Sequence, residues 1–236
     1  MKIGLVSYRC ENKNLAFNMS QIERALKENA GKADLLCFGE AFLQGFDCLC
    51  WDYEKDKDMA VAHDSEVMKQ LKRWTLQYDC GVATGYIERE DESLYSSYVV
   101  IAKGEILCNY RRISKGWKEF TITDDHYWEG TEACEFEFHG QKCMLTLCGD
   151  LWDYPEKFKT NGLLIWPVYV NYTVEQWEEE MLADYANHAE KVAQRTVLIN
   201  PLDNEPKSYG GAFYFRDGEV LARTKFDEEE ILMLEI

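Results

Sequence analysis

The stretch from Met144 to Phe158 reads MLTLCGDLWDYPEKF, and it decides how the rest of the chain is interpreted. Its first four residues, 144–147, are apolar and β-prone, a run short enough to be a buried strand. Cys148 stands where that strand ends, Gly149 can take backbone angles that other residues avoid, and Asp150 favours a turn. A cysteine at a strand end can attack a ligand above the sheet. Taken alone, such a cysteine is more often a buried packing residue, as most free cysteines are.

Composition indicates a globular chain with one large core. The chain has 236 residues, of which 46% are hydrophobic and 14% aromatic. α/β domains commonly reach this length without dividing, so we expect a single domain over residues 1–236. The net charge is −17, with 43 acidic against 26 basic residues. Because such a surface repels phosphate backbones, we expect no nucleic-acid partner.

Two further expectations concern compartment and metal. The first eight residues form a strand-length apolar run, too short for a secretory signal, and no run of about 18 apolar residues predicts a membrane span. Nine cysteines without framework spacing favour reduced thiols and a cytoplasmic location. Cys48, Cys50 and His63 lack the second ligand pair of a zinc site, so we predict neither a metal nor a cofactor.

Apolar periodicity predicts strands and helices along the whole chain. Helices are predicted from Asn14 to near Gly31, after Asp64 or Ser65, and after the capping residue Thr173. Strands and hairpins are predicted over 2–8, 33–38, 81–87, 95–102, 105–111, 135–138, 142–147, 162–166, 197–200, 211–215, 219–222 and 231–236.

Two features accompany the cysteine. Glu40 follows the buried strand 33–38, although most glutamates at such places are solvated loop residues. Residues 111–127 show no periodicity and carry Lys115, Gly116 and Lys118. A loop this long inside a compact domain is usually functional.

The order of these features resembles the nitrilase superfamily of carbon–nitrogen hydrolases over essentially the whole chain. The segment 38–46, FGEAFLQGF, resembles the family's Pro-Glu segment and the step that follows it. The segments GYIE at 85–88, YSS at 95–97 and YR at 110–111 resemble its central hairpin. CGD at 148–150, followed by YPE at 154–156, resembles its nucleophile motif.

The resemblance implies an α/β fold, a four-layer α-β-β-α sandwich, with a Glu-Lys-Cys triad. In that triad Cys148 is the nucleophile and Glu40 the general base. An unperturbed thiol is only a few per cent ionised at neutral pH, so a neighbouring carboxylate is needed to accept its proton. The backbone N–H of Gly149 and a positive charge would hold the oxyanion.

The sequence departs from the family at the lysine. The family pattern places it directly after Tyr-Arg, where this chain has Arg112, whose planar fork is not equivalent to an ammonium group. We expect Lys118 to supply the cation, in preference to Lys115, with Arg112 as the remaining alternative. Many members of the family add a second carboxylate after the lysine, and Asp125 and Glu129 are both candidates here.

The expected activity is hydrolysis of a non-peptide C–N bond in a small linear amide or carbamoyl compound, through a cysteine thioester. Alternatives are a catalytically silent metabolite-binding relative, an acyltransferase, and a nitrile hydrolase of the same family. The resemblance also implies a homodimer or a larger homo-oligomer, formed by pairing helix faces. The expected partner is a small-molecule amide.

Overall fold

Two six-stranded sheets lie face to face in the computed structural model, which describes all residues from 1 to 236. Helices cover their outer faces, so the predicted four-layer sandwich is confirmed. The first sheet contains, in spatial order, β12 (Glu230–Glu235), β1 (Lys2–Ser7), β2 (Leu35–Cys37), β3 (Gly81–Glu90), β4 (Ser93–Ala102) and β5 (Glu105–Arg111). The second contains β11 (Glu219–Arg223), β10 (Lys207–Arg216), β9 (Ala193–Asn204), β8 (Thr160–Pro167), β7 (Gln141–Leu145) and β6 (Cys134–Phe138).

Three of the helices begin at the capping residues that the sequence indicated. Asn14 accepts a hydrogen bond from the first turn of its helix, Ser65 does the same, and Thr173 forms a capping box with Gln176. The helices are α1 (Leu15–Asn29), α2 (Tyr53–Asp56), α3 (Glu66–Gln77), α4 (Asp150–Asp153), α5 (Val174–Gln176) and α6 (Leu182–Glu190). A 3₁₀ turn, Pro155–Phe158, follows α4, and a π-helical turn, Trp177–Met181, joins α5 to α6.

The core has two main parts. The larger fills the space between the sheets and continues under α6, with Trp166, Trp177 and Phe213 among its fully buried side chains. The second lies between the first sheet and the helices α1 and α3, around Phe38 and Leu71. Because most strands have apolar neighbours on both faces, they read in the sequence as continuous apolar runs.

Strand direction brings the candidate residues to one edge of the sandwich. In the first sheet β2 and β3 are parallel, and two antiparallel pairings then make β5 run in the same direction. In the second sheet β7, β8 and β9 are parallel. Glu40, Arg112, Cys148 and Tyr169 each follow the carboxyl end of one of these strands. Ligands of sheet proteins commonly bind beyond such strand ends.

The cysteines depart in one respect from the expectation of reduced thiols. Cys108 on β5 and Cys134 next to it on β6 form a disulfide that joins the edge strands of the two sheets. The seven other cysteines are free, and among them only Cys50 is exposed. None of the helices combines the length and the apolar character needed to cross a membrane.

Candidate active site

Glu40 is fully buried at the end of β2, and its carboxylate is held from three directions. Arg112 donates from Nη1 to Oε1 at 2.7 Å, and the Ser96 hydroxyl lies 3.5 Å from the same oxygen. The backbone N–H of Tyr169 donates to Oε2 at 3.2 Å. The carboxylate is therefore fixed in position, and its charge is compensated inside the protein.

Arg112 continues directly from β5, and its side chain is 3% exposed. Its N–H donates to the Ser96 carbonyl at 2.8 Å, which extends the β-hairpin register by one residue. Its Nε donates to the Ser114 hydroxyl at 2.7 Å, and this bond fixes the plane of the guanidinium. The other terminal nitrogen, Nη2, donates to no protein acceptor and lies against Gly116 and Gly149.

Cys148 is held in a strained backbone conformation. Its φ angle is +41°, in the left-handed region that residues with a side chain rarely adopt. Its N–H donates to the Pro167 carbonyl at 3.0 Å, and its own carbonyl accepts from Trp166 Nε1 at 2.9 Å. Backbone strain held in this way by surrounding contacts is concentrated at functional sites. The expected conformational role of glycine at 149 is wrong, because Gly149 has an ordinary φ of −65°.

The pKa values at the site show how its charges interact. Burial raises the pKa of the Glu40 carboxyl, and the charge and hydrogen bond of Arg112 oppose that rise. Burial also raises the pKa of the Cys148 thiol to about 12; the Glu40 charge acts in the same direction and Arg112 against it. Glu40 and Arg112 therefore both lie close enough to Cys148 to act on its thiol. With that pKa, the Cys148 thiol is protonated at neutral pH.

Asp150 connects the cysteine turn to the arginine loop. It is fully buried, and its Oδ1 accepts from the N–H groups of Ile113 and Ser114 at 3.1 and 2.7 Å. Its Oδ2 accepts from the Leu147 N–H at 2.9 Å and from the Tyr110 hydroxyl at 2.5 Å. One carboxylate thereby fixes the residues on both sides of the site.

The predicted cation and second carboxylates lie elsewhere in the 112–133 loop. Lys118 forms an ion pair with Glu129 at 2.8 Å and donates to the Tyr127 carbonyl, so its ammonium group is engaged away from Glu40. Lys115 and Asp125 are exposed. The expectation that Lys118 would accompany Glu40 is corrected: the structure brings Glu40, Arg112 and Cys148 together. The physical reason is that Arg112 continues the register of β5 directly, whereas Lys118 lies further along the loop and pairs with Glu129.

Several residues of the site were not assigned a role from the sequence. Ser114 and Ser96 orient Arg112 and Glu40, and Tyr169 contributes a backbone N–H that carries no sequence signal. Asp150 was recognised as a turn residue and as part of the CGD motif, but it was given no role in the site. Tyr172 and Tyr185 lie near the site: burial raises the pKa of both hydroxyls, and the Cys148 charge acts in the same direction.

Comparison with known proteins identifies the family of the chain. The sequence model of the carbon–nitrogen hydrolase family matches residues 2–236. An arylacetonitrilase from Hypocrea virens is 30% identical over 104 residues, which are 41% of this chain and 32% of that protein. The matched segments span only 23% to 39% of the length of the curated relatives that the chain matches.

Solved structures share the fold over the whole chain. XC1258 from Xanthomonas campestris, a CN-hydrolase superfamily protein with an arsenic adduct in its active site, has a TM-score of 0.81 at 16% identity, covering 99% of this chain and 89% of that one. An amidase from Nesterenkonia sp. has a TM-score of 0.79 at 16% identity, covering 100% of this chain and 90% of that one. The chain belongs to the carbon–nitrogen hydrolase family, within the nitrilase superfamily that its motifs resemble.

Proposed function

We propose that the protein hydrolyses the C–N bond of a small linear amide or carbamoyl compound and releases ammonia or an amine. The observation that supports this most directly is the buried 2.7 Å ion pair of Glu40 and Arg112 beside the partly buried Cys148. It combines a proton acceptor, a positive charge and a nucleophile at one strand edge, which acyl transfer through a thioester requires.

In the proposed first half-reaction, the Cys148 sulfur attacks the carbonyl carbon while its proton passes to Glu40. Raising the pKa of Glu40 towards the working pH makes the carboxylate a stronger proton acceptor. The carbonyl oxygen becomes an oxyanion, held by the Gly149 N–H and the free Nη2 of Arg112. The C–N bond then breaks, the nitrogen takes the proton from Glu40, and a thioester remains on Cys148.

In the second half-reaction, water attacks the thioester carbon and gives its proton to Glu40. The same two donors hold the second oxyanion. The C–S bond breaks, the thiolate recovers the proton, and the carboxylic acid leaves. Arg112 thus has the role that we first expected of Lys118, and Glu40 exchanges the proton in each step.

A panel of amides, carbamoyl compounds and nitriles tests this function through ammonia release. Hydroxylamine, added as a competing acceptor, distinguishes acyl transfer from hydrolysis. Accumulation of an acyl adduct on Cys148, detected by intact-mass spectrometry, supports the thioester route. Turnover that persists in Cys148→Ala would contradict it.

The silent metabolite-binding protein is the second candidate, and one observation favours it. Both Glu40 oxygens already accept hydrogen bonds, and the thiol pKa is raised to about 12, so the resting nucleophile is poorly ionised. This candidate predicts ligand-induced thermal stabilisation with neither an acyl adduct nor ammonia release. We also propose a homo-oligomer, which size-exclusion chromatography with light scattering tests.

A further inference from the structure

The guanidinium of Arg112 occupies space that a side chain at position 149 would fill. A Cβ atom built on Gly149 would stand 2.8 Å from Arg112 Nη2 and 3.2 Å from Ser114 Oγ. A Cβ atom on Gly116 would stand 3.1 Å from the same nitrogen. Two glycines therefore border one end of the guanidinium, and Nη1 at its other end binds Glu40.

We propose that Gly149 is a positioning residue for Arg112: the lack of a side chain beside the nucleophile allows a guanidinium, in place of an ammonium group, to serve the proposed reaction. This inference rests on the proposed function for the role of Arg112. The dependence of Arg112 on the residue at position 149 can nevertheless be tested without an assay of catalytic activity.

Backbone conformation does not explain the glycine. Gly149 has φ −65° and ψ −8°, in the right-handed helical region that alanine adopts without strain. The positive φ in this turn belongs to Cys148. A side chain at position 149 is thus disfavoured by its contact with Arg112 Nη2 and not by the backbone angles.

The guanidinium would give way to an added methyl group before the backbone would. On one side of Gly149, Cys148 is fixed through Pro167 and Trp166. On the other side, Asp150 accepts four hydrogen bonds. Nη2 is the end of a flexible side chain and has no acceptor of its own. Alanine at 149 would therefore rotate the guanidinium of Arg112 about Nε. This rotation would move Nη1 away from Glu40 and the positive charge away from Cys148.

A lysine side chain ends in a single nitrogen and has no second arm to meet the added methyl group. The substitution Arg112→Lys should therefore tolerate alanine at 149. The two positions are then coupled, which a double-mutant cycle measures.

The experiment follows alkylation of Cys148 by iodoacetamide at pH 8, using peptide mass spectrometry to separate it from the exposed Cys50. The proteins are wild type, Gly149→Ala, Arg112→Lys and the double variant, with thermal unfolding as the check on folding. Well below its pKa, a thiol reacts in proportion to its thiolate fraction, so a rise of one unit slows alkylation about tenfold. Gly116→Ala is the graded comparison, because its contact with Nη2 is looser.

We expect Gly149→Ala to slow alkylation about tenfold, and Gly116→Ala to slow it less. The double variant should react at nearly the rate of Arg112→Lys and faster than Gly149→Ala. Its lysine keeps a positive charge near Cys148 and has no second terminal nitrogen to contact the added methyl group. Equal slowing in both backgrounds would show that alanine merely blocks access to the thiol and would overturn the proposal. So would an unchanged rate in Gly149→Ala. If the coupling is found but no amide is hydrolysed, the positioning holds and the proposed function fails.

Discussion

Arg112 Nη1 lies 2.7 Å from Glu40 Oε1, and both side chains are buried, at 3% and 0% exposure. This ion pair joins the loop after β5 to the loop after β2, directly beside the Cys148 thiol. A buried charge without its partner is costly, so each of the two side chains requires the other for the fold to keep it in place. This contact places Arg112, and not Lys118, beside Glu40.

The first prediction concerns that cation. We expect Arg112→Met to lower kcat/KM by about 10²–10³, because one oxyanion-stabilising donor contributes about that much. Lys118→Met and Lys115→Met are the matched controls and should retain activity within about threefold. The measurement is steady-state kinetics on an amide from the panel, with Arg112→Lys included because it keeps the charge in the buried site. A large loss at Lys118 alone would restore our original expectation.

The second prediction concerns the nucleophile. Cys148→Ala should abolish turnover and leave the melting temperature nearly unchanged, since alanine keeps the same backbone strain. In the wild type, iodoacetamide should modify Cys148 and the exposed Cys50, whereas the other free cysteines are buried. Substrate should protect Cys148 and leave Cys50 reactive. Protection at neither position would mean that the substrate binds elsewhere.

The third prediction concerns the pH dependence of activity. Glu40 must be ionised to accept a proton, and burial raises its pKa, so kcat/KM should fall on acidification with a midpoint above the ordinary glutamate range. Glu40→Gln keeps the shape but removes proton acceptance, so kcat should fall by about 10²–10⁴. A loss below tenfold in a folded variant would leave Glu40 with a structural role only.

The fourth prediction concerns Asp150. Asp150→Ala would leave three backbone N–H groups and the Tyr110 hydroxyl without an acceptor inside the protein. Because unsatisfied buried donors cost about 1–3 kcal/mol each, we expect a large loss of unfolding free energy, measured by urea denaturation. Asp153→Ala, a change at a less buried carboxylate on the same short helix, is the control. Equal stability of the two variants would show that the two loops are joined by other contacts.

The fifth prediction concerns Glu88, which is buried on β3. Desolvation tends to raise its pKa, but hydrogen bonds from Arg111, Ser97 and Asn109 outweigh it, and the pKa is lowered. An acid with a lowered pKa in the folded state stabilises the protein above its unfolded pKa, and this contribution is lost as pH falls through the folded pKa. Glu88→Gln should thus flatten the dependence of unfolding free energy on pH below about pH 4.3. If the unfolding free energy of the variant depends on acidic pH as in the wild type, Glu88 does not cause that dependence.

Local sequence patterns were sufficient for the framework. Apolar runs, capping residues and turn residues act over a few positions, so β2 ending before Glu40 and β7 ending before Cys148 could be predicted. Helix α1 begins at its predicted cap for the same reason. Predicted strand ends differ from the structure where pairing extends a strand, as in β9, which runs to Asn204 because β10 continues beside it.

Long-range contacts decided which side chains lie beside Cys148. The 112–133 loop has no periodicity, and its start is set by Asp150, 36 and 37 residues away, together with Ser96 across the hairpin. These bonds keep Arg112 in the register of β5 and leave Lys118 to pair with Glu129. The sequence alone determined the fold class and placed Glu40 and Cys148 after strand ends, because strands and turns are encoded locally. Only the tertiary structure selected Arg112 and revealed the space at Gly149, because both depend on atoms that distant segments bring together.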